Sequence, residues 1–312
     1  MADCQMGRVL GIAWAVLLAG STVLAARAED VCTLKQAAAL DGKLEGSDHL
    51  WLPADFNGQT TRLLLDTGGA WSVIKEPLAK RLGLVPKKLR TIYYLDVAGG
   101  RITHYVTVPS FTLGRIRFPE SDFLMIPEAA DSDLEYWGGT IGAERLSDFD
   151  IYIDNTTKSV VLYHPDKFCS GRVVPWSGGA VEIPFIMNNE LPELRVTVHG
   201  ESVRKASFDT GSSRTLMDLD LAKSAFGITP SSPGVEALPE ETMISGKKIK
   251  FYTYTFKTMD VSGIVFNDVE VTMGDFEDTP LVLGMAEISK LDLYIAFKRK
   301  IIYAKRIEPT IK

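Results

Sequence analysis

Apolar and polar positions alternate along most of this chain, in short runs rich in β-branched and aromatic residues. A period of two is typical of strands with one buried face, because successive side chains of a strand point to opposite faces. Turn signals such as Asn57-Gly58 and His199-Gly200 separate the runs. The pattern predicts an all-β fold. The predicted strands cover residues 62–65, 102–108, 152–163, 194–198, 250–257 and 265–273.

Two short segments depart from this alternation and favour helices, over residues 76–82 and 219–226. Each is followed by a glycine, Gly83 or Gly227, which can adopt the left-handed conformation that ends a helix. Two polar stretches, residues 127–139 and 229–241, lack periodicity and are predicted to be surface loops. They would form either walls of a binding groove or plain solvated loops.

The second half of the chain repeats the first. The tripeptide Asp-Thr-Gly occurs at residues 66–68 and again at 209–211. In both halves an apolar segment precedes it, and a hydroxyl residue, a predicted helix and a late apolar-Gly pair follow it in the same order. The late pairs are Ile141-Gly142 and Leu283-Gly284. A period this long, used twice, indicates duplication of a domain and not a solenoid.

A chain of 312 residues has room for two domains of ordinary size. Ser-Gly pairs interrupt the strand pattern between about residues 164 and 180. We therefore predict an N-terminal lobe at 29–165, a linker at 166–180 and a C-terminal lobe at 181–312.

Residues 1–28 are predicted to be a signal peptide. Arg8 precedes an apolar run over residues 9–24, and Ala26-Arg27-Ala28 has the small-x-small form of a cleavage site. The protein is accordingly expected in the periplasm or secreted. A retained membrane anchor is the alternative, although the run is shorter than the roughly 20 residues of a typical span. Membrane contact is expected only if this segment is retained.

Three cysteines bear on the same question. Cys4 would leave with the signal peptide, so Cys32 and Cys169 would be the cysteines of the exported protein. An even number of cysteines suits an oxidising compartment, and we predict one disulfide between these two. Two unpaired buried cysteines are the alternative.

Composition and charge exclude several classes of function. Hydrophobic residues at 46% and charged residues at 24% are those of a soluble globular protein. A net charge of −6 without a basic run argues against nucleic acid as a partner. The sequence has no His-Glu-x-x-His motif of a metallopeptidase and no Gly-x-Ser-x-Gly motif of a serine hydrolase. No metal and no cofactor is expected.

The two Asp-Thr-Gly motifs, each answered by an apolar-apolar-Gly element at Thr140-Ile141-Gly142 and Val282-Leu283-Gly284, resemble those of the retropepsin-like aspartic peptidases. The resemblance covers both halves of the chain. It implies two tandem retropepsin/pepsin-like lobes with the acid protease fold, related by pseudo-twofold symmetry. The sequence departs from the pepsin pattern in its compact lobes. In that family the first element carries the catalytic Asp on a loop, and the second closes a ψ-shaped strand crossing behind it.

The resemblance implies that Asp66 and Asp209 are the catalytic carboxyls. Two carboxyls at one site cannot easily both be ionised, so they share one proton. The ionised carboxyl acts as general base toward water and the protonated one as general acid toward the peptide carbonyl. We expect the Ser212 hydroxyl to bond Asp209 and to favour its ionised form, because the first copy has no hydroxyl at that position.

Four further residues are expected to support this pair. Gly68 and Gly211 lack a Cβ, so backbone can pass close to a carboxylate and offer N–H groups to it. The resemblance implies that Thr67 and Thr210 bond across the interface between the lobes.

Each half also contains a candidate flap, a hairpin that could cover the cleft. Glycine-rich tips can move and can approach a peptide backbone closely. Ordinary hairpin turns are the alternative. The candidate tips are Ala98, Gly99 and Gly100 in the first half and Ser245 and Gly246 in the second.

These features predict an aspartic endopeptidase that acts on peptide or protein substrates. The alternative is an exported peptide-binding module that kept the fold and lost turnover. A short linker gives the lobes a high effective concentration for one another, so we expect an active monomer and not pairing with a second chain. Asp150 and Asp292 also recur between the halves and are predicted to be structural.

Overall fold

The computed structural model of the protein describes residues 32–307, apart from 44, 45, 47, 91–93, 128–136, 166–172, 175, 177 and 178. The predicted signal peptide, Cys169 and most of the predicted linker lie outside these residues. The expectations that concern them stay predictions. None of the helices in the described part has both the length and the apolar character needed to cross a membrane.

The strands of the first half are short, and in many of them buried positions alternate with more exposed ones. They are β1 (Lys35–Asp41), β2 (Trp51–Phe56), β3 (Gln59–Leu65), β4 (Val73–Lys75), β5 (Lys87–Lys88), β6 (Tyr94–Leu95), β7 (Arg101–Ile102), β8 (His104–Val108), β9 (Phe111–Leu113), β10 (Ile116–Phe118), β11 (Ser121–Ile126), β12 (Trp137–Ile141), β13 (Asp150–Asp154) and β14 (Ser159–His164). Two short helices accompany them, α1 (Glu76–Arg81) and α2 (Ala143–Leu146).

The second half has longer strands. They are β15 (Val181–Pro184), β16 (Ile186–Asn188), β17 (Leu191–Val198), β18 (Glu201–Phe208), β19 (Thr215–Asp218), β20 (Glu236–Ala237), β21 (Glu241–Thr242), β22 (Lys248–Ile249), β23 (Tyr252–Val261), β24 (Ile264–Gly274), β25 (Leu281–Leu283), β26 (Leu291–Ala296) and β27 (Ile301–Arg306). Its helices are α3 (Leu219–Phe226) and α4 (Met285–Ile288).

Each half builds one large sheet, and both sheets contain the same strand insertion. The first sheet has the order β10-β9-β2-β3-β12-β4-β11-β8-β5, and the second has the order β16-β17-β18-β25-β19-β24-β23-β20. In the first, β12 lies between β3 and β4 and runs parallel to β3, with Ile141 opposite Leu65. In the second, β25 lies between β18 and β19, with Leu283 opposite Phe208. The duplication read from the sequence is therefore also a duplication of topology.

A third sheet joins the two halves. Its order is β1-β14-β13-β26-β27-β15, so strands of both halves meet in its middle. There β13 pairs antiparallel with β26, with Tyr152 opposite Tyr294. Because this pairing is made by backbone hydrogen bonds, it fixes the register of one half against the other.

Buried apolar side chains from both halves form one continuous cluster. Among them, Leu65 and Phe208 are fully buried at the ends of β3 and β18. Both strands lead directly into the Asp-Thr-Gly motifs. Close packing leaves these strand ends little freedom, so the loops that follow start from fixed positions.

The prediction of an all-β fold with short helices is confirmed. Both predicted helices are present as α1 and α3. Gly83 and Gly227 follow them with φ of 66° and 69°, the left-handed conformation expected of a helix end.

Several predicted boundaries are wrong. Residues 152–163 form a hairpin of β13 and β14 and not one strand, because the chain turns at 155–158, where Lys158 has φ of 57°. The predicted strand over 102–108 is divided at Thr103, and the one over 250–257 begins at Tyr252. The predicted loop over 127–139 ends early because Trp137 begins β12. Helices α2 and α4 were not predicted, since a single turn has no periodicity to detect.

Candidate active site

The two Asp-Thr-Gly loops begin where β3 and β18 end. The Asp66 N–H donates to the Ile141 carbonyl at 3.1 Å, and the Asp209 N–H donates to the Leu283 carbonyl at 3.0 Å. The late apolar-Gly element of each half thus lies directly behind the Asp of the same half. Both Asp residues keep part of their surface exposed.

Thr67 and Thr210 exchange four hydrogen bonds between the halves. The Thr67 hydroxyl donates to the Phe208 carbonyl at 2.7 Å, and the Thr210 hydroxyl donates to the Leu65 carbonyl at 2.6 Å. Each hydroxyl oxygen also accepts the backbone N–H of the other threonine, at 3.1 and 3.0 Å. Both residues are fully buried, so water does not compete for these bonds. The exchange holds the two loops at a fixed separation.

Gly68 and Gly211 each lie against the carboxyl of the opposite half. A Cβ on Gly68 would lie 2.2 Å from Asp209 Cγ, and a Cβ on Gly211 would lie 2.5 Å from Asp66 Oδ1. Neither position has room for a side chain. The two carboxyls are within hydrogen-bond reach of each other. The structure therefore brings Asp66 and Asp209 together at one place.

The surroundings raise the pKa of both carboxyls. Loss of hydration raises the pKa of Asp66 well above its usual value, and the charge of Asp209 raises it further. The pKa of Asp209 is also raised by loss of hydration, but N–H groups oppose the change. The Gly211 N–H donates to Asp209 Oδ1 at 2.7 Å. Of the two, Asp209 is the more stabilised in its ionised form.

Ser212 contributes differently from the expectation. Its hydroxyl donates to the Arg214 carbonyl at 2.7 Å, so the prediction that this hydroxyl bonds Asp209 is wrong. The chain turns tightly after the motif, so the nearest acceptor for the Ser212 hydroxyl is a carbonyl two residues later. The backbone N–H of Ser212 bonds Asp209 instead, together with the N–H groups of Gly211 and Gly68.

The hydroxyl residue six positions after each Asp ties the loop to the late glycine. Ser72 Oγ accepts the Gly142 N–H at 3.1 Å and donates to Glu144 Oε1 at 2.5 Å, and the Ser72 N–H donates to the same oxygen at 3.0 Å. Burial raises the pKa of Glu144 despite these bonds. A largely buried carboxyl therefore braces the first loop from behind.

The second half repeats this arrangement. Thr215 Oγ1 accepts the Gly284 N–H at 3.3 Å and donates to Glu287, whose pKa burial also raises. Sequence reasoning missed both glutamates. The sequence does place a Glu shortly after each late glycine, two residues after Gly142 and three residues after Gly284. Because this offset differs between the halves, the two glutamates are not recognised as part of the repeat.

His49, also missed, reaches the second loop from the first half. Its ring packs edge-on against Trp51, with centroids 6.0 Å apart, and it forms a hydrogen bond with the backbone of Gly211. Burial lowers the pKa of His49, which favours the neutral ring at neutral pH. Nothing in its sequence context distinguishes this histidine from a surface one.

A cavity of about 480 Å³ opens beside the two loops. Gly68, Asp209 and Val282 form part of its wall, and Leu95 and Val97 line it from the first candidate flap. Strands β6 and β7 form the hairpin that carries Ala98, Gly99 and Gly100, and β21 and β22 form the one that carries Ser245 and Gly246. The first candidate flap therefore borders the same space as the Asp-Thr-Gly loops.

The recurring aspartates lie away from this cavity, in the sheet that joins the halves. Asp150 is buried and accepts a hydrogen bond from the Tyr294 hydroxyl at 3.2 Å. Burial raises its pKa to about 6. Asp292 accepts the Asn155 N–H at 3.1 Å. Both side chains make bonds within the fold.

Cys32 is buried beside Val173 and Val174, which follow the predicted partner Cys169 by a few residues. The disulfide stays a prediction, because Cys169 is outside the described residues. In the described part of the chain, no group of three or more His, Cys, Asp or Glu side chains is placed to hold a metal ion.

The fold and the paired loops define the class as a tandem, two-lobed aspartyl protease architecture. Comparison with family models gives the same result. The family model described as Aspartyl protease matches residues 52–144 and 194–286, together more than half of the chain. The protein belongs to this family and carries two copies of its domain. Comparison with curated proteins gave no match.

Proposed function

We propose that the protein is an aspartic endopeptidase in which Asp66 and Asp209 form one catalytic pair within a single chain. The observation that carries the proposal is the mutual approach of the loops, in which Gly68 lies against Asp209 and Gly211 lies against Asp66. Two carboxyls held this close, in a family of proteases, are arranged for acid–base hydrolysis of a peptide bond.

The reaction uses one water and no covalent intermediate. The ionised carboxyl removes a proton from water as the water oxygen attacks the peptide carbonyl carbon, and the protonated carboxyl donates its proton to the carbonyl oxygen. The resulting tetrahedral diol breaks its C–N bond when a proton passes to the nitrogen. The products are a carboxylic acid and an amine.

The hydrogen-bond donors around the pair support one assignment of the resting proton. Asp209, which accepts N–H groups from both halves, carries the charge, and Asp66 carries the proton. Asp209 is then the general base and Asp66 the general acid, although the pair titrates as one unit. Because the pKa of Asp66 is raised well above its usual value, the acid stays protonated to a higher pH than an exposed Asp would.

We further propose that the protein is exported and acts as a monomer. Export rests on the predicted signal peptide at residues 1–28. Intramolecular pairing is supported by the antiparallel pairing of β13 with β26 and by the threonine exchange. A second chain would have to displace both contacts.

The proposal is tested with purified protein lacking residues 1–28 and a library of peptides, from pH 4 to 8. We expect internal cleavage of peptides in the wild type. Asp66→Asn and Asp209→Asn each lose a group needed for proton transfer, so each should lower kcat by at least about a thousandfold. Product masses identify the bonds cut.

Asp268→Asn is the matched control, because Asp268 is exposed and pairs with Lys257 on the surface. It should cleave like the wild type. Unchanged cleavage in either dyad variant would contradict the shared pair. Saturable binding of peptides without any cleavage by the wild type would instead favour a peptide-binding module.

A further inference from the structure

The two candidate flap tips contact each other, and the contact is centred on Asp96, the residue that opens the first tip. Asp96 is only 7% exposed. Its Oδ1 accepts the N–H groups of Ala98 and Gly100 at 3.1 and 2.8 Å, which closes its own turn. Its Oδ2 accepts the Ser245 N–H at 3.1 Å, across the cleft. One carboxylate therefore organises both tips.

Two further hydrogen bonds join the first tip to the second half. The Lys247 ammonium, from the second tip, donates to the Ala98 carbonyl. The Glu277 N–H donates to the Val97 carbonyl at 3.1 Å. The first tip is thus held from two sides by residues of the C-terminal lobe.

Apolar packing is exchanged between the tips as well. Ala98 is 1% exposed and belongs to a cluster of the second half with Leu216 and Phe251. In return, Ile244 of the second tip packs against a cluster of the first half that includes Ile102. Each tip therefore packs a side chain against the opposite lobe, which an ordinary solvated hairpin turn does not do.

We propose that Asp96 is a positioning residue that clamps the two hairpin tips into a single cover over the cleft. The proposal rests on the proposed peptidase function, because a cover matters only if a peptide lies beneath it. A bound peptide is held while the clamp is closed, and an extended protein segment gains access only when the clamp opens.

The first test uses Asp96→Asn. The amide oxygen of Asn still accepts from Ala98 and Gly100, but its NH₂ group would face the Ser245 N–H, so the bond across the cleft is lost. We expect KM to rise at least about tenfold, as for loss of one charge-assisted hydrogen bond, while kcat and its pH profile stay unchanged. Lys247→Met, which removes the second bond, should shift KM in the same direction.

Lys248→Met is the matched control, because Lys248 is in the same hairpin but pairs with Glu240 on the outside. Its KM should equal that of the wild type. Unchanged KM in both Asp96→Asn and Lys247→Met overturns the proposal. A fall in kcat together with a lowered unfolding temperature in Asp96→Asn would mark a merely structural residue and also overturns it.

The second test needs no turnover. A Cβ on Gly100 would lie 2.7 Å from Ser245 Cβ, whereas the two Cβ atoms of a disulfide are about 3.5–4.5 Å apart. The tips of the G100C/S245C variant therefore have to move apart by only about 1 Å to form a bridge. Mild oxidation should give this bridge within one molecule, identified by peptide mapping. S245C alone is the control. Absence of the bridge under conditions that oxidise free thiols overturns the proposal.

The two tests separate the clamp from the peptidase. If the bridge forms, and if cleavage of an unfolded protein falls at least tenfold on oxidation and returns on reduction, the clamp governs access. If cleavage is equal in the oxidised and reduced forms, the proposal fails. If the Asp66→Asn and Asp209→Asn variants contradict the catalytic pair, the yield of the bridge still decides whether the tips are clamped.

Discussion

The two Asp-Thr-Gly loops share the bonds of the Asp N–H and of the threonine, and they differ in the groups around the carboxyls. In both halves the Asp N–H donates to the late apolar residue, and the threonine hydroxyl donates to the strand end of the opposite half. Beyond the tripeptide they diverge. Gly69 and Ala70 follow the first motif, whereas Ser212 and Ser213 follow the second.

The difference shows which part of a duplicated site must stay symmetric. The threonine hydrogen bonds that cross between the halves are made in pairs, so a change in one copy alone would leave a buried partner unsatisfied. Groups that bond only within one half are free to change. The N–H groups of Gly211 and Ser212 are such local donors: they oppose the rise in the pKa of Asp209, whereas the pKa of Asp66 is raised well above its usual value.

The largest expected effect comes from filling the space at the two glycines. In Gly68→Ala the new Cβ would lie 2.2 Å from Asp209 Cγ, and in Gly211→Ala it would lie 2.5 Å from Asp66 Oδ1. Each change displaces the carboxyl of the opposite half, so kcat should fall by at least about a hundredfold in both. Peptide cleavage at saturating substrate measures this.

Gly58→Ala is the control for the two glycine variants, because Gly58 is in a distant hairpin turn where an added Cβ would meet no other atom within 4 Å. It should retain the wild-type kcat. Full activity in one of the two site variants would show that the loops are not equivalent, which breaks the symmetry argued above.

The threonine exchange should be equally strong from either side. Thr67→Val and Thr210→Val each remove two hydrogen bonds and leave a buried carbonyl and a buried N–H without a partner. Each should lower the free energy of unfolding by about 3 kcal/mol. The double variant should cost less than the sum, because the two residues share their partners. Urea unfolding at neutral pH gives these values.

Thr255→Val provides the reference for these variants, since Thr255 is an exposed residue of β23. Its effect should stay within about 0.5 kcal/mol. A difference of more than about 1 kcal/mol between the two site variants would mean that one half depends on the exchange more than the other.

The sequence predicts the symmetric part of the molecule well and the rest poorly. The repeat marks both aspartates and both late glycines, because each is required at a fixed offset in two copies. The hairpin of β13 and β14 was missed because its turn, at 155–158, contains neither Gly nor Pro, and a lysine takes the left-handed position. Pairing of β13 with β26 joins residues far apart in the chain, which no local pattern reveals.

Of the site itself, the sequence indicates the residues but not always the atoms. Ser212 was identified, yet its N–H and not its hydroxyl bonds Asp209. Glu144 and Glu287 were missed because a carboxylate near a helix is usually solvated. Their burial depends on the hydroxyl residues that cross behind each loop, which is a tertiary contact.

Asp150 and Asp292 recur in the sequence, but their surroundings should give them different pH dependence. Burial raises the pKa of Asp150 to about 6, so the folded protein binds more protons than the unfolded chain between about pH 4 and 6. The free energy of unfolding therefore falls as pH rises through that window and then levels off. Asp150→Asn removes this loss. The free energy of unfolding of the variant, relative to that of the wild type, should therefore rise by about 2 kcal/mol from pH 4 to pH 7.

Asp292→Asn tests the comparison from the other half. The pKa of Asp292 is also raised by burial, but the Asn155 N–H opposes the shift and the residue is less buried, so the gain should have the same sign and be smaller. Urea unfolding at pH 4, 5, 6 and 7 measures both. A larger gain in the free energy of unfolding for Asp292→Asn than for Asp150→Asn would show that Asp292 has the more strongly raised pKa.

The smallest expected effect concerns the ends of α1 and α3. Gly83 and Gly227 have φ of 66° and 69°, and neither has another atom within 4 Å of an added Cβ. Alanine at either position therefore meets no clash and suffers only the left-handed backbone penalty, about 1 kcal/mol. The two variants should lower the free energy of unfolding equally, although α1 has no side-chain N-cap and α3 is capped by Asp218. Unequal losses of the free energy of unfolding, measured with urea, would show that the N-cap of a helix affects what the glycine-to-alanine change at its C-terminal end costs.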